Sequence, residues 1–223
     1  MNVCGICDFR KKVSLGSLLF IICLTKIHKN IQKKKSVLEI ITNKKLDKNI
    51  LNVAKSFDFL DKIVILSSIK IKKNYFYFQK VQGKFISQKI QNSTIEIQKQ
   101  YKKKKFINEL TFKKKLEKNL SLKFNNKFKY IAVNLKIDKK NTLGNAKLGR
   151  WFNFFKYLEN EDSRFVLIGN NKYPKKFYKL KNLIVIPKKT SLLQTLIISK
   201  KCDFFIGSAT GVSAINILNN KPY

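Results

Sequence analysis

Four small residues fall within five positions near the end of the chain: Gly207, Ser208, Thr210 and Gly211. Glycines let a backbone come close to a ligand, and two hydroxyls add hydrogen-bond donors. The chemistry such a cluster can do is to hold an anion, a phosphate above all. Phe204, Phe205 and Ile206 before it form an apolar run of the kind found in a strand buried on both faces. Val212, Ile215 and Leu218 after it recur at helical spacing. A strand, a tight turn and a helix would aim free N–H groups and the positive end of a helix dipole above the strand. Two readings stand side by side. One is a phosphate cradle; the other is a plain strand-to-helix connection with Thr210 as N-cap.

Cysteine and histidine offer a second chemistry. Cys4 and Cys7 make a CxxC pair, but Cys23, Cys202 and His28, the only histidine, stand at no spacing a structural zinc site uses. No metal is expected, and free thiols fit a reducing compartment.

The elements that must position the small-residue cluster alternate along the chain. In the first half, strands are expected around residues 3–7, 36–42 and 63–66. A helix from Leu15 to Asn30 would bury Leu18, Leu19, Ile22 and Cys23. Ile50, Val53, Ala54 and Phe57 mark a second helix. Residues 69–100 read as an irregular edge with a strand at 75–78 and a turn at Gln82-Gly83. Residues 101–120 read as a lysine-rich helix with Phe112, Leu116 and Leu120 on one stripe, and 123–129 as a linker. In the second half, strands are expected at 130–134, 164–168 and 183–186. Helices are expected from Leu148, with Trp151, Phe152 and Phe155, and from a cap at Thr190 or Ser191. Alternation of this kind implies parallel sheets, whose ligands sit at the carboxyl ends of the strands. Asn134, Gly169 and Gly207 stand at such ends. The loop 136–146, containing Gly144, follows Asn134.

The chain has 223 residues, 44% of them hydrophobic, enough for a substantial core. The net charge of +35 would ordinarily point to nucleic acid or to an acidic membrane surface. Of 48 basic residues only Arg10, Arg150 and Arg164 are arginines. Base and phosphate readers lean on arginine, so nucleic acid is disfavoured and the lysine is read as background that would still draw the protein to anionic lipid. Lys11 and the apolar stretch 13–24 imitate a signal peptide. That stretch is too short to span a bilayer and lacks a cleavage site, which favours a buried helix over an uncleaved anchor.

Residues 184–222 (IVIPKKTSLLQTLIISKKCDFFIGSATGVSAINILNNKP) resemble the C-terminal half of GT-B glycosyltransferases, in the pattern F-x-G-[ST]-x-[ST]-G of heptosyltransferase-like enzymes. Residues 15–19 (LGSLL) resemble the matching N-terminal site, where a glycine opens the first helix beside the acceptor. The resemblance implies two facing Rossmann-like domains with parallel sheets, 1–125 on the acceptor side and 126–223 on the nucleotide-sugar side, the second one incomplete. It implies a metal-independent transfer, without cofactor, from a nucleotide diphosphate sugar to a cell-envelope glycan or lipid-linked acceptor. The free thiols and the lysine excess set the expected place as the cytoplasm, peripheral to the inner face of the membrane. Gly207, Ser208, Thr210 and Gly211 take the diphosphate role. Asn134, Lys136 and Arg150 line the donor site, and Gly16 and Ser17 the acceptor side. Heptosyltransferases carry an Asp where this chain has Ser17, and Asp and His where it has Ala209 and Ala214. A serine alone does not deprotonate an acceptor hydroxyl, so no catalytic residue is assigned. The rival classes are a basic nucleic-acid or ribosome-associated protein and a non-catalytic Rossmann-like remnant.

Overall fold

The computed structural model describes residues 1–223 except 12, 80, 83, 84, 87–89, 105–108, 119, 121, 138–144, 170, 209 and 223. It gives the backbone alone at 81, 82, 85, 86, 90–93, 100, 101 and 104. The chain divides into two compact units. The first holds Met1–Lys118 with Leu218–Asn220, and the second holds Asn119–Ile217 with Lys221–Tyr223.

The first unit contains β1 (Asn2–Asp8), α1 (Leu15–Gln32), β2 (Ser36–Ile41), α2 (Lys48–Lys55), β3 (Lys62–Leu66), β4 (Tyr75–Tyr77), a small antiparallel pair β5 (Val81–Gln82) and β6 (Phe85–Ile86), α3 (Ile90–Lys104) and α4 (Lys114–Lys118). Strands β1 to β4 form one parallel sheet in the order β3-β2-β1-β4. Ser14 caps α1 by accepting the Ser17 N–H, and Leu18, Leu19, Ile22 and Cys23 are fully buried in it. α1 lies so close to β1 that a Cβ on Gly5 would collide with the Thr25 hydroxyl. No helix among the described residues is long and apolar enough to cross a membrane.

Strand geometry settles the CxxC pair. Residues three apart on a strand point to opposite faces, so Cys4 and Cys7 cannot pinch one ion between them. Both thiols are free and buried, and burial pushes their pKa values up. Cys23 and Cys202 are free as well, and burial pushes each up to about 12. His28 is stacked on Phe78 at 4.9 Å and lies 5.6 Å from Phe76, and burial lowers its pKa. It is a packing residue of α1.

The second unit contains β7 (Lys129–Asn134), α5 (Leu148–Tyr157), β8 (Ser163–Leu167), a 3-10 turn (Lys175–Lys179), β9 (Leu183–Val185), α6 (Leu192–Lys201), β10 (Phe204–Gly207) and α7 (Ser213–Ile217). Its sheet is also parallel, in the order β10-β7-β8-β9. Two apolar layers enclose it. One holds Phe155, Phe165 and Phe177; the other holds Tyr130, Val166, Ile198 and Phe205. Ser191 and Gln194 close a capping box at the start of α6.

The middle of the chain departs from the sequence reading. A helix spans Ile90–Lys104, earlier than expected, and α4 is a separate short turn. Phe112 is not on a helical stripe. It bridges Phe57 as extended chain, with the two rings stacked at 5.0 Å. An aromatic partner in the core outweighs the helical propensity of the surrounding lysines. The stretch read as a linker packs on the second sheet through Leu122, Phe124 and Phe128. Gly83 of the expected Gln82-Gly83 turn lies outside the described residues.

Candidate functional site

β7 and its neighbour β10, which forms one edge of the second sheet, meet at their carboxyl ends, where Asn134 pairs with Gly207. As an edge strand β10 is not buried on both faces as its apolar run predicts: Phe204 is exposed and Phe205 is buried. In sequence order β7 is the unit's first strand and β10 its fourth. The chain therefore runs outward from β7 to β9 and then crosses back to β10 on the other side. This reversal makes the crevice above β7 and β10 the topological switch point, where open α/β sheets bind ligands.

Gly207 stands at φ +127°, and a Cβ there would overlap the Asn134 carbonyl. Glycine at 207 is thus required by the backbone of the sheet itself. Past it, the Ser208 N–H donates to the Asn134 carbonyl at 2.8 Å, carrying the chain back over the strand end. Two side-chain hydrogen bonds then fasten the crevice. Asn134 Nδ2 donates to Thr210 Oγ1 at 2.7 Å, and the Lys136 backbone N–H donates to Ser208 Oγ at 3.1 Å. Each hydroxyl oxygen accepts a bond from its own unit, so each O–H proton is available to donate elsewhere. Thr210 is exposed and Asn134 is 9% exposed, so the hydroxyl faces outward from a buried anchor.

Thr210 does not cap the following helix. Ser213 does the local work: its Oγ accepts the Thr210 N–H at 3.2 Å and donates to the Thr210 carbonyl at 2.6 Å. α7 runs only from Ser213 to Ile217, shorter than the expected helix through Leu218. One turn aligns few peptide dipoles, so an anion here would be held by hydroxyls, the Asn134 amide and backbone N–H groups more than by a macrodipole. Asn171, which sequence reading left as a turn residue, also shapes the crevice by donating from Nδ2 to the Leu135 carbonyl at 2.7 Å. Gly169 beside it stands at φ +100° near the Asn134 side chain.

The structure thus brings Asn134, Lys136, Gly207, Ser208 and Thr210 together, with Gly211 in the adjoining turn. Ala146 N–H donates to the Lys136 carbonyl at 2.8 Å, closing the neck of the loop; Gly144 and Ala209 lie outside the described residues. Arg150 stands apart, exposed on the first turn of α5. It lines a surface cleft of about 260 Å³ with Trp151 and Phe154, and no hydrogen bond among the described residues ties it to the crevice.

In the first unit, Gly16 and Ser17 are buried in the first turn of α1. Ser17 Oγ lies 3.0 Å from Ser14 Oγ, and neither hydroxyl can act as a strong base for the other. The carboxylate at this end of the sheet is Asp8, the last residue of β1, which sequence reading passed over. Its side chain is 3% exposed and is gripped by Arg10 through Nη2 at 2.8 Å, Nε at 2.9 Å and the backbone N–H at 3.1 Å. The hydrogen bond from the Arg10 guanidinium holds the Asp8 carboxyl below the usual carboxylate range. The signal in the sequence was an Asp two residues before one of only three arginines.

No protein-family model matches the sequence, and no curated protein does. Solved structures do match it in three dimensions. E. coli heptosyltransferase WaaC, solved with ADP-2-deoxy-2-fluoro heptose, matches with a TM-score of 0.55 and 12% identity, over 100% of this chain and 87% of that one. A glycosyl transferase family 9 protein from Veillonella parvula DSM 2008 matches with a TM-score of 0.66 and 10% identity, over 99% and 78%. E. coli ADP-heptose LPS heptosyltransferase II matches with a TM-score of 0.59 and 8% identity, over 98% and 82%. At these identities the common property is the fold, and the chain has the α/β fold of these glycosyltransferases, with two parallel-sheet, Rossmann-like units of the GT-B type.

Proposed function

We propose that the protein is a glycosyltransferase that takes a sugar from a nucleotide diphosphate sugar and passes it to a cell-envelope glycan or lipid-linked acceptor. The observation that carries this reading is the furnished crevice of the second sheet. Ser208 and Thr210 are locked by Lys136 N–H and Asn134 Nδ2 with their O–H protons left to donate. A diphosphate leaving group needs fixed donors where negative charge develops, and these hydroxyls meet that need at a switch point. The donor roles fall to Asn134, Lys136, Gly207, Ser208, Thr210 and Gly211. Gly16 and Ser17 stand on the acceptor side, and Arg150 is a further cation for the donor. The solved neighbours lend support: one holds ADP-2-deoxy-2-fluoro heptose and another is an ADP-heptose LPS heptosyltransferase. Four free cysteines agree with the reducing cytoplasm, where we place the protein at the inner face of the membrane. No metal or cofactor is assigned a role in this reading.

A second reading, a nucleotide-sugar-binding protein without transfer, is favoured by one observation. The hydroxyl partner of Ser17 is Ser14, and Asp8 is committed to Arg10. One assay separates the two. The protein is incubated with ADP-, GDP- and UDP-sugars and lipid-linked acceptors, and free nucleoside diphosphate is measured. Acceptor-dependent release supports transfer. Saturable binding of a nucleotide sugar without release supports the second reading, and neither binding nor release would overturn both.

A further inference from the structure

Among the described residues four aromatic side chains stand well exposed: Phe154 at 40%, Tyr157 at 86%, Tyr178 at 59% and Phe204 at 41%. All four belong to the second unit, and three of them sit on α5 and the 3-10 turn at Lys175–Lys179. These two elements lie side by side on one face of the second sheet. The rings of Phe152 and Phe177 are 5.6 Å apart, and Lys176 Nζ is 4.2 Å from the centre of the Phe152 ring. Among the described side chains of the first unit, the exposed large apolar residues are Met1 and isoleucines scattered over separate elements, Ile31, Ile65, Ile71 and Ile95. Among the described residues, exposed aromatics are therefore a feature of the second unit, whereas exposed lysine occurs in both units.

Exposed cations interleave with these rings: Arg150 and Lys156 on α5, and Lys175, Lys176 and Lys179 on the turn. The acidic residues nearby are Glu159, Glu161 and Asp162 past the end of α5. Glu159 Oε1 is already occupied, accepting the Lys181 N–H at 2.8 Å. We propose that this face, α5 with the Lys175–Lys179 turn, docks the protein on an anionic lipid bilayer. Tryptophan and tyrosine settle at the headgroup level, where an apolar body meets a polar tip. Lysine stems lie along the apolar surface while their ammonium groups reach lipid phosphates. The cleft between Arg150, Trp151 and Phe154, about 260 Å³, gives a lipid glycerol or upper acyl segment a shallow place to enter.

A nucleic acid strand, whose bases would stack on open rings, is disfavoured by the kind of cation this face carries. Four of the five interleaved cations are lysines, point charges suited to a diffuse anionic surface rather than to bidentate phosphate contacts.

The test is sedimentation of the full chain with vesicles of phosphatidylcholine, with or without about one third phosphatidylglycerol. Three variants are compared. One carries Lys175→Gln, Lys176→Gln and Lys179→Gln; another carries Tyr157→Ser and Tyr178→Ser; a control carries Lys33→Gln, Lys34→Gln and Lys35→Gln in the first unit. Each lysine held near an anionic surface is worth roughly fivefold, so the first variant should lose about a hundredfold in partitioning. The tyrosine pair should lose about tenfold, and the control under about threefold. All the substituted side chains are exposed, so folding is preserved and is checked by circular dichroism. The proposal is overturned if the control loses as much as the lysine variant, or if binding ignores the anionic lipid. It is also overturned if a single-stranded oligonucleotide binds more tightly than the vesicles and through the same residues. Vesicle binding needs no nucleotide, so its failure leaves the proposed donor site standing, and the reverse holds as well.

Discussion

The two sheets share one topology and differ in what fills it. Each unit lays its strands in the same order, the third, second, first and fourth strand in sequence, all parallel. Each therefore has a switch-point crevice between its first and fourth strands. In the first unit the protein closes that crevice itself. β4 pairs with β1 only as far as Cys4, and then the Gln79 side chain replaces backbone, accepting the Ile6 N–H at 2.6 Å and donating to the Ile6 carbonyl at 2.9 Å. Beyond it the Asp8 carboxylate and the Arg10 guanidinium satisfy each other, so this strand end presents a closed ion pair to a diphosphate. In the second unit the same place carries a glycine turn and two anchored hydroxyls. A common topology supplies two equivalent places, and side chains at the strand ends decide which one can bind an anion.

The largest expected effect attacks the second crevice at its backbone. Gly207→Ala puts a Cβ into the Asn134 carbonyl at a positive φ, so urea unfolding should show a loss of roughly 2–4 kcal/mol, together with loss of nucleotide binding. Gly5→Ala in the first unit meets a side-chain hydroxyl, which can move, and should cost about 1–2 kcal/mol while nucleotide binding remains. Equal costs, or equal losses of binding, would erase the contrast.

Asn134→Ala comes next. It frees Thr210 from its buried anchor and should weaken nucleoside diphosphate binding about ten- to a hundredfold in calorimetry, with the fold retained. Thr210→Ala removes one donor and should cost about tenfold.

A smaller effect sharpens the other side of the comparison. Asp8 has a folded pKa below its unfolded value of about 3.9, so its contribution to stability is present above that pH and is lost as pH falls through the folded value. Asp8→Asn should therefore lower stability at neutral pH and flatten the loss seen on acidification, while leaving nucleotide affinity unchanged. Unfolding midpoints measured from pH 7 down to about 2 test this. The smallest expected effect is that of Lys102→Ala with Lys103→Ala on α3, which should leave nucleotide affinity within about twofold, since these exposed charges face solvent.

Much of this architecture was legible in the sequence where residues carry periodicity. The apolar runs at 36–41, 63–66 and 204–206 became parallel strands, and the buried stripe of α1 fell where Leu18, Leu19, Ile22 and Cys23 predict it. The middle was not legible for a physical reason. Lysine-rich segments have helical propensity almost everywhere, so the true helix at Ile90–Lys104 and the extended Phe112 gave similar local signals. The bond between Phe57 and Phe112 is a long-range choice that spacing does not encode. At the second crevice the cluster of small residues was legible and its wiring was not. That Asn134 would hold Thr210 depends on two strand ends meeting. The arginine-clamped Asp8 was visible as two residues, but its burial became evident only once β1 had a neighbour on each side.

The most direct measurement is a calorimetric titration with ADP, GDP and UDP of the unmutated chain, of Asn134→Ala and of Asp8→Asn, at low and high salt. The account predicts that at least one nucleoside diphosphate binds saturably to the unmutated chain. It also predicts that affinity drops at least tenfold in Asn134→Ala and stays unchanged in Asp8→Asn. Binding that survives Asn134→Ala and is lost in Asp8→Asn would place the anion in the first crevice and contradict the account, as would the absence of binding by any of the three nucleotides.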